Sequence, residues 1–398
     1  MNRRTFLQYA CTFAAAQCLS AGLIWRAWAR PDPNSPGHGA SCLFTLSKGP
    51  LHDNGATPWF ATIHLGSPGQ AMTVMMDTGT ANTWVTSFCC SSAACKTKNY
   101  KYDYGESITH ERIPGADWQG NELGAWGEFE SLPIRDMICF TDPNRGRIHL
   151  SMKFLVAKLK DAAGSTNWKD LNMCGGVGFP VIFEQPDDVN KPESLLPVIL
   201  QDGLASDPVV SFWHDKTIGG CVVGGVDASK YDAETRNALS LTSGAAKLNL
   251  WTVRLDQFLK GSTPMLDGPV NLALDTGSSR FKGSPRIINQ LIEQITTKAD
   301  GSKLPTTFSN PSLIAEFPTL TLDMNGYRYA LAPEDYIWKI ADRGTYSLQF
   351  HPLDIGVDDT ILVGSVLLDH LYSAFEYTVD PAVPFNLRGD RVSLYNRV

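Results

Sequence analysis

Two copies of one short motif stand out in this 398-residue chain: Asp77-Thr78-Gly79-Thr80 and Asp275-Thr276-Gly277-Ser278. Each follows an apolar run, Val74-Met75-Met76 in the first copy and Leu272-Ala273-Leu274 in the second. They lie 198 residues apart, about one lobe's length. A single Asp-Thr-Gly is most often an ordinary turn, because Asp and Gly dominate turns. Two copies in the same local context imply a duplicated lobe, each half giving one carboxylate to a shared site. Two carboxylates in contact do not readily ionise together, so they share one proton, one serving as base and the other as acid. Their titration constants then belong to the pair. Such a pair can activate water without a metal or a covalent nucleophile.

The other motif residues have physical tasks. Gly79 and Gly277 permit a tight turn and close backbone approach, and the N–H groups around them can donate to carboxylate oxygens. The hydroxyls of Thr80 and Ser278 are expected to donate to the outer oxygens of the pair. The apolar triplets read as buried strands that hold the turns rigid. Competing signatures are thin. There is no His-Glu-x-x-His, no Gly-x-Ser-x-Gly and no glycine-rich phosphate loop. Cys89, Cys90 and Cys95 have no nearby His or fourth thiolate, so no metal site and no cofactor are expected.

Several further segments match in order. Trp59 to Gln70 leads into the first motif, and Trp84 stands seven residues after Asp77. Cys90 and Cys95 flank Ser91-Ser92-Ala93-Ala94. Gly224-Gly225-Val226-Asp227, Phe317 to Leu322 and Ile361-Leu362-Val363-Gly364 follow. On these residues the chain resembles the pepsin-like aspartic proteases, from about residue 55 to 398. The resemblance implies an all-β fold with a few short helices, in two pseudo-symmetric barrel-like lobes with a cleft between them. It implies Asp77 and Asp275 as catalytic residues and Thr78 and Thr276 as braces between the two turns. Trp84 becomes a partner of the flap, and Cys90–Cys95 a disulfide. The substrates implied are peptides or proteins with bulky apolar residues at the cut bond, cleaved by a monomer at acid pH.

The chain departs from that pattern in three places. The family's flap tyrosine has no counterpart on counting back from Gly124 in the stretch Gly124 to Glu130. Trp118 is the nearest aromatic and either serves as the lid or packs on the surface; Tyr102 and Tyr104 are further candidates. Cys174 stands where aspartate is usual, and Gly176 occupies an apolar position of Met173 to Phe179. Ser365 follows Gly364 where aspartate is common.

Hydrophobic residues make up 43% and charged residues 19%, a globular balance rather than a disordered one. The formal charge of −7 offers no electrostatic case for nucleic acid. The first 29 residues read as an export signal of twin-arginine type: Arg3-Arg4 ahead of an apolar stretch from Tyr9 to Trp25, then Ala27-Trp28-Ala29 as a cleavage site. A membrane anchor is the other reading, although Gln17 and Ser20 interrupt the stretch. The expectation is a prokaryotic protein of the periplasm or the exterior, off the membrane once the signal is removed. The short loop-like stretch after Ala29 argues against an inhibitory pro-segment; a shortened one is the alternative.

Seven cysteines remain after the signal: Cys42, Cys89, Cys90, Cys95, Cys139, Cys174 and Cys221. The count is odd, so at least one thiol stays free. Cys42 can pair with Cys221 if both strands join the sheet between lobes. Residues 30–225 are assigned to the first lobe and 226–398 to the second. Strands are expected over 42–46 and across 59–87, and helices over Leu195–Leu200 and Pro285–Thr297. Two functions stay open: an exported endopeptidase, or a catalytically silent protein of this fold that binds a partner.

Overall fold

Alternation of apolar and polar residues over short runs, punctuated by Gly and Pro, builds this chain almost wholly from strands. The computed structural model describes residues 41–51, 59–96, 101–122, 128–160, 173–183, 188–216, 218–353, 356–379 and 387–398. All belong to one unit, Ser41–Val398. The export signal, residues 30–40 of the lead-in and the flap stretch Gly124–Gly127 lie outside the described residues.

One pattern of five strands occurs twice. In the first half, Trp59–Leu65, Gln70–Asp77, Gly175–Gly178, Trp84–Thr86 and Gly146–Leu159 lie side by side. Their pairings run antiparallel, parallel, antiparallel and parallel. In the second half Thr252–Leu255, Val270–Leu274, Thr360–Val363, Phe281–Gly283 and Phe350–Pro352 are neighbours in the same sequence of senses. The chain is thus bilobal, with Asp77 ending the second strand of its set and Asp275 directly following the second strand of the other.

The register matches residue by residue. Met75 faces Gly176, Gly176 faces Trp84, and Trp84 faces Leu155. In the second half Ala273, Leu362, Lys282 and His351 form the same row. The neighbouring row of the second half, Leu274, Val363, Phe281 and Phe350, is fully apolar and buried. Phe281 stacks on Phe350 at 4.6 Å and meets Phe258 edge-on at 5.5 Å.

Six antiparallel strands link the halves, running Asn237–Ser240, Leu387–Asn396, Leu371–Val379, Val209–Asp215, Ile218–Val223 and Cys42–Lys48 in spatial order. With the first five-strand set and the strands Glu111–Arg112, Gln119–Glu122 and Glu128–Asp142 they form one sheet of fourteen. Strands Cys42–Lys48 and Ile218–Val223 pair as the cysteine reading required, but no Cys42–Cys221 bond forms. The register sets Cys221 opposite Phe44 and Cys42 opposite Val223, so the two thiols are never cross-strand partners.

The helices form at Leu195–Gln201 and Pro285–Thr296. The second begins with Pro285 at its first turn, where a missing N–H costs nothing. Its buried face carries Ile287, Ile288, Leu291 and Ile295, the i, i+4 spacing of a surface helix.

Candidate active site

The two Asp-Thr-Gly turns meet head to head. Thr78 N–H donates to Thr276 Oγ1 at 3.0 Å, and Thr276 N–H donates to Thr78 Oγ1 at 3.0 Å. Each hydroxyl then donates across the seam, Thr78 to the Leu274 carbonyl at 3.0 Å and Thr276 to the Met76 carbonyl at 2.7 Å. Both threonines are buried, so these four bonds work in a low-dielectric setting where a missing partner costs about 1–3 kcal/mol. They lock one turn to the other.

Glycine at the third position has a steric cause. A Cβ on Gly79 would stand 2.5 Å from Asp275 Oδ1, and one on Gly277 would stand 2.4 Å from Asp77 Cγ. Each turn therefore leaves room for the opposite carboxylate. Each glycine also donates its N–H to its own aspartate, Gly79 to Asp77 Oδ1 at 2.7 Å and Gly277 to Asp275 Oδ1 at 2.9 Å.

The electrostatics follow from that contact. Burial raises the Asp77 carboxyl well above the ordinary range, and the charge of Asp275 raises it further, against the Gly79 N–H and Lys282. Burial also raises Asp275; Lys282, the hydrogen bond with Asp77, and the N–H groups of Gly277 and Ser278 oppose it. Each carboxyl counts the other among the causes of its shift, which raises Asp77 and lowers Asp275, so the two titrate as a coupled pair. Asp77 is buried, while Asp275 keeps some exposure.

The hydroxyls of the fourth motif position behave differently from the expectation. Thr80 Oγ1 accepts from the Asn82 N–H at 3.3 Å, a local turn bond. Ser278 Oγ is buried without a hydrogen-bond partner. Neither donates to the pair; the backbone N–H of Ser278 supports Asp275 instead.

Trp84 is fully buried in a cluster with Phe60, Met75, Phe129, Leu155, Cys90 and Cys95, and it stacks on Phe129 at 5.8 Å. The Cys90–Cys95 disulfide is formed, with Cα atoms 5.8 Å apart. Cys42, Cys89, Cys139, Cys174 and Cys221 form no disulfide. The strand Gly175–Gly178 keeps full register with residues 74–77 despite its glycines. Gly175 lies against the backbone of Trp84, where a Cβ would come within 2.1 Å of the Trp84 carbonyl oxygen. A virtual Cβ on Gly176 lies 3.2 Å from the Trp84 indole nitrogen and 3.6 Å from Met75 Cε, so these side chains occupy the space an apolar residue would take.

Trp118 is half-buried beneath the Lys158 ammonium, 3.6 Å from its ring centroid. It stands just before the first pair of a hairpin whose described pairs run from Gln119↔Ser131 to Glu122↔Glu128. Tyr102 is not free to act as a lid: it is fully buried and its hydroxyl donates to Asp136. Tyr104 packs edge-on against Phe88 at 5.6 Å.

Lys282 escaped the sequence reading. It lies seven residues after Asp275, as Trp84 lies seven after Asp77, so superposing the two motif copies would have exposed it. Among the described residues no group of three His, Cys, Asp or Glu is placed to hold a metal ion, and no helix is long and apolar enough to cross a membrane.

Known proteins carry the same pattern. The family model described as eukaryotic aspartyl protease matches residues 58–119 and 172–383. Cathepsin E of Aquarana catesbeiana is 27% identical over 336 residues, 80% of this chain and 76% of that protein. Cathepsin D of Dictyostelium discoideum is 24% identical over 386 residues, 93% of this chain and 94% of its own. Pepsin A of Sus scrofa is 23% identical over 332 residues, 82% of this chain and 80% of its own. With a shared carboxyl pair between two matched half-folds, and a family match over most of its length, the chain belongs to the aspartyl proteases.

Proposed function

We propose that the protein is an aspartic endopeptidase in which Asp77 and Asp275 activate one water molecule for attack on a peptide carbonyl. The observation that carries this reading is the reciprocal packing of the two turns, in which each glycine makes room for the opposite aspartate. One carboxylate accepts the proton of the water, and the other, protonated, donates to the carbonyl oxygen. The roles then reverse as the amide nitrogen leaves protonated. No acyl-enzyme forms. The working state holds one proton on the pair. Activity therefore falls as pH rises through the upper constant of the pair, and again as pH falls through the lower one.

Thr78 and Thr276 keep the carboxyls facing each other, and Gly79 and Gly277 supply the approach and an N–H each. Substrate lies extended between a lobe of residues 30–225 and one of 226–398, with bulky apolar side chains flanking the cut bond. Trp84 supports the flap from beneath, and Trp118 belongs to the flap's base. The N-terminal 29 residues direct export by a twin-arginine route, to the periplasm or beyond.

A peptide-library digest at several pH values tests the reading. The wild type is expected to cut, and Asp77→Asn and Asp275→Asn are each expected to remain folded and inactive. A wild type that cuts nothing at any pH would leave a binding protein of this fold as the answer.

A further inference from the structure

Three residues of metal-binding type stand in one row of the first half, outside the turns that carry the carboxyl pair. His64 on the strand Trp59–Leu65 faces Cys139 on Glu128–Asp142, and Cys139 faces His149 on Gly146–Leu159. Directly opposed residues of antiparallel strands point to the same side of the sheet. The residues flanking each of the three fix which side that is. Ile63 and Leu65, Ile138 and Phe140, and Ile148 and Leu150 are all buried in the core. His64, Cys139 and His149 therefore share the outer face, where His64 is half-buried and His149 exposed. Cys139 keeps 8% exposure between them. Thr62, Thr141, Arg147 and Ser151 around the row are exposed, so an ion reaches it from solvent.

Distance singles out this thiol. Cys139 Sγ lies 3.6 Å from His149 Nε2. A tetrahedral zinc ion, with sulfur at about 2.3 Å and nitrogen at about 2.0–2.1 Å, holds those two ligand atoms about 3.5–3.6 Å apart. The pair thus forms one edge of such a site before an ion arrives. On the other flank of Cys139, His64 starts about 5 Å away at Cβ, within reach of the sulfur once its imidazole turns. That turn is required, because among the described residues no three ligands are at metal spacing as they stand. The other unbridged cysteines lack this setting. Cys42, Cys174 and Cys221 are buried. Exposed Cys89 has the Tyr104 hydroxyl at 3.7 Å, a poorer partner than imidazole for a thiophilic ion.

We propose that Cys139, His149 and His64 bind one divalent cation of the zinc type, with water as the fourth ligand, and so clamp three neighbouring strands of the first half. The thiol loses its proton to solvent as the sulfur–metal bond forms, and both imidazoles bind neutral. The site does not depend on the endopeptidase reading.

The test titrates cobalt(II), a spectroscopic stand-in for zinc, into the reduced, untagged full chain at about pH 7.5, where a free imidazole is mostly neutral. A single equivalent is expected to raise a thiolate-to-cobalt charge-transfer band, and zinc(II) is expected to displace it. Cys139→Ser should remove the band. His149→Ala and His64→Ala should each weaken binding about tenfold or more, since loss of even a residue that supports a ligand costs that much. His149 is exposed, so its variant keeps the fold and carries the test if Cys139→Ser does not fold. A wild type without the band overturns the site. So does a band that survives in Cys139→Ser, or an affinity unchanged in His149→Ala. An affinity unchanged in His64→Ala overturns the three-residue set.

Discussion

The first and second halves agree in the bonds between their two turns and differ in the side chains packed one row away. Thr78 and Thr276 make the same bonds in mirror fashion, and Gly79 and Gly277 face the same steric limit. One row away, Trp84 seals an apolar cluster while its counterpart Lys282 brings a charge near Asp275. The bracing strand differs as well. The first half uses Gly175 and Gly176 against the large Trp84 and Met75, whereas the second uses Leu362 beside Ala273. Large and small residues trade places across matched positions so that each row keeps its volume. A duplicated fold thus holds its catalytic geometry symmetric while its surroundings specialise.

The deepest test of this equivalence is the pair itself. Asp77→Asn and Asp275→Asn should each lower peptide cleavage by at least about a thousandfold, measured against an unchanged far-ultraviolet dichroism spectrum. A variant that kept near wild-type turnover would show that one half dominates.

Gly79→Ala and Gly277→Ala come next. Each introduces a Cβ inside 3 Å of the opposite carboxylate. Pushing the two acids apart should lower turnover about a hundredfold or more, with both variants alike. Turnover close to wild type in either variant would contradict the close approach.

Thr78→Val and Thr276→Val each remove two buried bonds across the seam. The expected cost is about 4 kcal/mol apiece in urea unfolding. Because the two threonines belong to one buried network across the seam, the double variant should cost clearly less than the two added together. Full additivity would mean that the two halves do not act as one unit there.

The seam between the halves has its own acid limit. His214 is buried on Trp59, with ring centroids 4.3 Å apart, and its Nδ1 lies 3.6 Å from Asp369 Oδ1. Burial lowers its constant from 6.5 to about 4, with Asp369 opposing. The unfolded chain binds this proton below pH 6.5 and the folded chain only below about 4. Stability is therefore fully present above pH 6.5 and lost as pH falls toward 4, by about 3 kcal/mol. His214→Phe should flatten the dependence of the urea midpoint on pH in that window. An equally steep loss in the variant would place the acid sensitivity elsewhere. In the proposed mechanism the carboxyl pair needs a proton while this seam is weakened by one, so the two together bound the expected working pH.

The smallest effect is expected at Trp118. Trp118→Ala should lower turnover about tenfold or less, without a shift in melting temperature. Unchanged kinetics would remove it from the site and leave it as a platform for Lys158.

Much of this molecule was legible because it follows from local pattern. The doubled Asp-Thr-Gly, the apolar triplets before it and the two amphipathic helices carry their geometry in residues near one another in sequence. The failures share the opposite property. Pairing of Cys42 with Cys221 depended on register between strands far apart in the chain, and a slip of two positions decides it. Trp118 was counted toward the flap along the chain, but strand pairing put it just before the first described pair of the hairpin.

The amino-acid sequence alone determined that two carboxylates with glycine and threonine beside them recur in equivalent settings, since a turn of that kind is written in four consecutive residues. Only tertiary structure decided what surrounds them. Which side chain fills the space seven residues on, whether a cation or an indole, takes its meaning from strands brought alongside it from elsewhere in the chain. Burial and electrostatic reach are properties of that assembled neighbourhood, and no single stretch of the chain contains them.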